Sequence, residues 1–143
     1  MSFGVFYKVE DKMRSNFEGC VTKSDWYEAL DGINIQNYES CDAEESIPAW
    51  ALALKNEGSP VCMLFQGEMR AQENEFDDPD VVFVNKEMVN SVVNEIERKS
   101  KSHYKALLDD IDCSADFWLF DSMFEFLKDA ALNNKAIVVV WGK

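Results

Sequence analysis

Histidine, glycine, proline and positive charge are all scarce in this 143-residue chain. The one histidine, His103, lies in Ser102-His103-Tyr104 with no nucleophile motif around it, and its plain reading is a surface residue. Six scattered glycines form no Gly-x-Gly-x-x-Gly, no Walker loop and no Gly-x-Ser-x-Gly. That leaves neither a nucleotide cradle nor a nucleophile elbow. Cys20, Cys41, Cys62 and Cys113 include no Cys-x-x-Cys pair, so together with one histidine they lack zinc-ligand spacing. The run from Glu73 through Glu75, Asp77 and Asp78 to Asp80 lacks the Asp-x-Asp-x-Asp-Gly order of a calcium loop. No apolar run approaches the length of a membrane span. The first ten residues carry neither a basic n-region nor a long apolar h-region. The expected compartment is therefore the cytoplasm, with free thiols. No catalytic residue, no cofactor and no metal is expected, and the chain reads as a non-enzyme.

The shortage of positive charge has a direct consequence. Fourteen Lys and Arg stand against 27 Asp and Glu, a formal net charge of −13. Solubility asks a small domain for a net charge of only about 2–8. Such a chain repels nucleic acid and anionic membranes, and it attracts basic partners.

What is present is a core. Apolar residues make up 47% of the sequence, with ten Phe and four Trp. A chain of this length can bury about 70% of the surface its unfolded form exposes. One globular domain over residues 1–143 is expected.

Apolar periodicity places the elements. Phe3 to Val9 alternates as a strand, with Phe6 on the opposite face from Val5 and Tyr7, so both faces are expected to be partly covered. Asp11 to Phe17 reads as a short helix. Thr22 or Ser24 caps a helix carrying Trp26, Tyr27 and Leu30, which Gly32 ends. Ile33 to Tyr38 reads as loop or edge strand, and Glu39 to Glu45 as an acidic loop. Ser46 caps a helix with Pro48 in its first turn, and Glu57-Gly58-Ser59-Pro60 stops it. Val61 to Phe65 reads as a buried strand, and Gly67 to Asp80 as a long acidic loop.

The last third is the most regular part. Val81-Val82-Phe83-Val84 is a strand. Asn85 caps a helix carrying Met88, Val89, Val92, Val93 and Ile96. His103 to Ile111 continues as helix, and Phe117 to Leu132 presents Phe120, Met123, Phe124, Leu127, Ala130 and Ala131 as one face. Asn133-Asn134 suits a left-handed cap, and Ala136 to Trp141 is a strand apolar on both faces. The expected class is α/β (α+β): a mixed β-sheet of about four to five strands packed with several helices.

This C-terminal pattern resembles the YfbM-like family of bacterial proteins. The residues that carry the resemblance are Val81 to Val84, Met88 to Ile96, Phe124 to Ala131 and Ile137 to Val140. The family has no agreed activity, so the resemblance transfers no functional residue. In type, the chain is also similar to immunity proteins of contact-dependent growth inhibition, which are small, acidic, cytosolic and free of catalytic motifs. Their toxins are often basic nucleases. That resemblance implies an immunity protein that covers the active site of a basic toxin. An acidic mimic of nucleic acid, or a YfbM-like cytosolic protein of another role, is the alternative. The expected contacts are the loop carboxylates Asp42, Glu44, Glu45, Glu68, Glu73, Glu75, Asp77, Asp78 and Asp80. To them is added Trp118, which lies off the apolar stripe of its helix.

Overall fold

A computed structural model describes residues 3–71, 81–110 and 117–142. Its centre is the last strand, β5 (Lys135–Gly142). β5 pairs on one side with β1 (Phe3–Glu10) and on the other with β4 (Val81–Val84). β2 (Ser40–Asp42) extends the sheet beyond β1, and β3 (Met69–Arg70) extends it beyond β4. The strand order is β2-β1-β5-β4-β3, and every one of these pairings is antiparallel. This is the expected single domain of helices packed on a sheet of four to five strands; the sheet, expected to be mixed, is antiparallel at every described pairing.

Helices cover both faces of the sheet, which is why β4 and β5 are continuous apolar runs and do not alternate. On one face, Phe6, Val82, Val84, Ile137, Val139 and Trp141 join the larger core. That core is completed by α3 (Ile47–Glu57), α4 (Met63–Gln66), α5 (Lys86–Lys99), α6 (Lys101–Asp109) and α7 (Phe117–Leu132). On the other face, Val9, Val81, Phe83, Ala136, Val138 and Val140 meet Phe17, Trp26 and Leu30. These last come from α1 (Arg14–Phe17) and α2 (Lys23–Gly32). Phe17 stacks on Trp26 with ring centroids 4.8 Å apart, and it also reaches Phe83 at 5.8 Å.

Local chemistry sets the boundaries. Thr22 accepts from the Asp25 N–H while Asp25 accepts from the Thr22 N–H, closing a capping box at the start of α2. Those bonds to the ionised carboxylate hold Asp25 below the usual carboxylate range. Asn85 Oδ1 accepts from the Met88 N–H and starts α5. Gly58 takes φ 74° at the end of α3, and Asn134 takes φ 55° between α7 and β5.

Three sequence expectations need correction. Val61 to Phe65 is not a strand: Pro60–Cys62 is a 3-10 turn and Met63–Gln66 is α4. The Ser59 hydroxyl accepts from the Val61 N–H, and Pro60 sets a helical φ, so these five apolar residues begin as a capped helix. A short apolar run without periodicity does not by itself distinguish a buried strand from a buried helix. The second correction lies in the acidic loops, which contain both edge strands: β2 lies inside Glu39 to Glu45, and β3 inside Gly67 to Asp80. Residues 72–80 lie outside the described residues. Third, Ile35–Asn37 is a 3-10 turn, entered through Asn34 at φ 54°, and not an edge strand.

Tyr104 shows what this packing does to an ionisable group. It is fully buried on α6 and stacks on Phe120 at 5.4 Å. Burial pushes its hydroxyl up to about 12, against a smaller opposing pull from Ser59. An unfolded tyrosine ionises near pH 10. The stability linked to this proton is therefore fully present below about pH 10 and is lost as pH rises toward 12. Tyr104→Phe should flatten the alkaline fall in stability between about pH 10 and 12. Urea unfolding midpoints of both proteins across that range check this; parallel alkaline slopes would mean that Tyr104 is not the controlling group.

Candidate functional site

The edge of the sheet at β2 is built by three close contacts. The Ala43 N–H donates to the Gly4 carbonyl at 2.8 Å, and the Lys8 N–H to the Glu39 carbonyl at 3.0 Å. These bonds clamp both ends of β2 onto β1. Gly4 is needed here: a Cβ at that position would lie 2.6 Å from Ile47 Cδ1 and 3.2 Å from the Glu44 carbonyl oxygen. Lys8 then fixes the edge to α7. Its side chain is buried, with Nζ 3.0 Å from Glu39, paired with Asp129, and 4.6 Å above the Phe126 ring. Burial works against its charge, but Asp129 and Glu39 outweigh it and hold the ammonium above its ordinary range.

Beyond β2 the chain turns sharply into α3. Asp42 Oδ1 accepts from the Glu44 N–H at 2.7 Å, an Asx-type turn. Glu44 takes φ 52°, in the left-handed region. Ala43 is buried beneath the turn, so the carboxylates of Asp42, Glu44 and Glu45 point outward. Beside this turn lies the first turn of α7, where Trp118 is 63% exposed while Leu119 is buried. Ser122 lies one helical turn further along, on the same side as Trp118. Cys41, Asp42, Glu44, Trp118, Leu119 and Ser122 together line an open cleft of about 310 Å³.

The structure thus brings together three of the predicted contact residues, Asp42, Glu44 and Trp118. Glu45 is exposed on the same turn and does not line the cleft. Glu68 is elsewhere. It lies next to β3 at the opposite edge, four strand spacings or about 19 Å from β2. Both of its oxygens are engaged: one accepts from Asn85 Nδ2 at 2.8 Å and the other pairs with Arg14. Those partners, Asn85 foremost, hold Glu68 below the usual carboxylate range. Its evident role is to tie α1 to the start of α5. Glu73, Glu75, Asp77, Asp78 and Asp80 lie outside the described residues. Cys41, Leu119 and Ser122 were not singled out by the sequence. Only the Trp118-to-Ser122 spacing hinted at one of them, because the β2 side of the cleft depends on strand pairing.

Several other ionisable groups have structural partners. His103 Nε2 lies 3.0 Å from Glu57 and bridges α6 to α3, so the histidine is half-buried and not a free surface group. Lys101 Nζ lies 2.6 Å from Asp121 and joins α6 to α7. Cys20, Cys41 and Cys62 are free thiols, each pushed up by burial. Among the described residues no group of three His, Cys, Asp or Glu side chains could hold a metal ion. None of the described helices is long and apolar enough to cross a membrane.

No family model and no curated protein matches this sequence. Among solved structures the chain is similar to the crystal structure of YfbM from Escherichia coli, a protein of unknown function. The TM-score is 0.67 at 9% sequence identity, covering 98% of this chain and 99% of that one. The likeness extends the C-terminal resemblance over almost the whole domain, and the chain has the YfbM-like fold.

Proposed function

We propose that this protein is a cytoplasmic inhibitor of a basic protein, an immunity protein that covers the active site of a cognate toxin, in keeping with contact-dependent growth inhibition. The observation that carries this reading is the cleft at β2. An exposed tryptophan lines it together with Asp42 and Glu44, on a chain whose net charge is −13. Large aromatic anchors supply binding energy at interfaces, and complementary charge supplies rapid encounter. A nuclease is the favoured target, because the lysines and arginines that hold phosphates would meet Asp42, Glu44 and Glu45. The role is binding, with no chemistry of its own, no cofactor and no direct nucleic-acid contact.

The test pairs the chain with whichever basic toxin-like domain a pull-down, or the gene next to its own, supplies. The triple variant Glu44→Lys, Glu45→Lys, Trp118→Ala changes three exposed side chains and spares the turn bond of Asp42. Its melting temperature should stay within about 2 °C of the parent, since substitutions at exposed sites cost little. Toxin binding should weaken by about a hundredfold or more at low salt, with a smaller loss at high salt. Cells expressing the toxin should lose protection. A variant that binds and protects like the parent would reject this surface as the contact.

A further inference from the structure

The cleft lies against an open sheet edge, and its register says which backbone groups are free to pair. The Gly4–Ala43 and Lys8–Glu39 bonds are spaced four residues apart on each strand of the β1–β2 ladder. In an antiparallel pair, hydrogen-bonded and non-hydrogen-bonded positions alternate. Phe6 and Cys41 therefore form the hydrogen-bonded pair between them, with Cys41 turned toward β1. The Val5–Asp42 and Tyr7–Ser40 positions are the non-bonded ones. There, the N–H and C=O groups of Ser40 and Asp42 point away from β1, to the outside of the sheet. Among the described residues no strand lies beyond β2.

We propose that this edge receives an extended, arginine-bearing segment of the basic partner as an added strand, with one arginine side chain seated in the Trp118 cleft. This deepens the reading above and rests on it. Two guest residues would exchange main-chain hydrogen bonds with Ser40 and Asp42, the usual source of affinity when a peptide joins a sheet edge. The guest residue between them lies opposite Cys41, so its side chain falls on the same face as Cys41 and Phe6. On that face stand Trp118 and Leu119. A planar guanidinium stacks on an indole face and can still bond a carboxylate through its free N–H groups; Glu44 is the carboxylate within the cleft. The flanking guest residues project to the other face, toward Asp42 and Tyr7, where a second positive charge is favoured. A second copy of this chain is a poor occupant. It would bring another −13 to an edge that already carries Glu39, Asp42, Glu44 and Glu45.

The probe is the peptide acetyl-Arg-Thr-Arg-Thr-Arg-amide, compared with its lysine and glutamate analogues and with a form methylated on both threonine amide nitrogens. Trp26, Trp50 and Trp141 are buried, so a change in solvent-sensitive fluorescence reports on Trp118. The arginine peptide should shift the emission of the parent protein and leave that of Trp118→Phe unmoved. The lysine analogue should bind less tightly, and the glutamate analogue should give no shift. Methylation should weaken binding about tenfold or more, the loss of one or two main-chain hydrogen bonds. Equal binding of the methylated and unmethylated peptides would overturn strand addition while leaving a basic partner in place. No response to either basic peptide would overturn the proposal outright. The toxin-protection assay, which uses the whole partner, judges the inhibitor reading separately.

Discussion

Replacing Val139 by aspartate is expected to leave a chain that no longer unfolds cooperatively. Val139 has no exposed surface and sits in the middle of β5, paired with Phe6 on β1 and Val82 on β4. Its side chain belongs to the larger core, between the sheet and the helices above it. The substitution removes a buried aliphatic group and puts a carboxylate among apolar side chains, with Lys8 on the same face already engaged by Glu39 and Asp129. Losing the burial costs about 1.5–3 kcal/mol, and the buried polar group adds several more. Domains of this kind hold only about 5–15 kcal/mol in total. Val139→Ala separates the two effects. It leaves a cavity without a charge and should destabilise by about 2 kcal/mol while remaining folded. Thermal melts followed by circular dichroism are the measurement. A soluble Val139→Asp protein with a sharp transition near the parental one would mean that β5 is not the central strand.

Gly67→Ala should lower the melting temperature by about 5–15 °C, a large effect for one added methyl group. Gly67 joins α4 to β3 with φ 64° and ψ −179°, a combination that side-chain-bearing residues rarely adopt. A Cβ there would lie 2.7 Å from the Phe83 carbonyl oxygen and 3.0 Å from Val82 Cβ. The neighbouring Glu68 N–H donates to that same Phe83 carbonyl at 2.8 Å, so the contact cannot relax without opening the β3–β4 pairing. Backbone strain and overpacking together amount to about 2–5 kcal/mol. Gly19→Ala is the control, because a Cβ at that position meets nothing within 4 Å. Equal melting of Gly67→Ala and Gly19→Ala would show that the turn is not held as described.

The two substitutions also mark how far local sequence reaches. Val139 is legible as buried without any structure, because a run of six apolar residues, rich in β-branched side chains, needs cover on both faces. A cap at Thr22 or Ser24, which the structure resolves as a capping box at Thr22, the cap at Asn85, the span Phe117–Leu132 and the left-handed turn after it were legible in the same way. Each depends on residues within one or two turns of one another. Their interleaving predicts a helix-covered sheet; that every described strand pairing is antiparallel was decided by the structure. Gly67 and the segment before it were not legible. Val61 to Phe65 is as apolar as β4, and only the Ser59–Pro60 start selects helix over strand.

Charge shows the same division. The excess of 13 negative charges belongs to composition alone. Which carboxylates are free to meet a partner was decided by tertiary structure. Glu68 looks like Asp42 and Glu44 in the sequence, but Arg14 and Asn85, brought to it from distant parts of the chain, hold both of its oxygens. Trp118 could be read as off the core stripe of its helix. That it lines a cleft with Asp42 and Glu44 could not, because 76 residues separate Trp118 from Asp42. Only the closing of β2 onto β1, with Lys8 holding Glu39 and Asp129, places that edge beside α7. Helix periods and caps are local and can be read from neighbours; strand order and the pairing of buried charge are settled by contacts between segments remote in the chain.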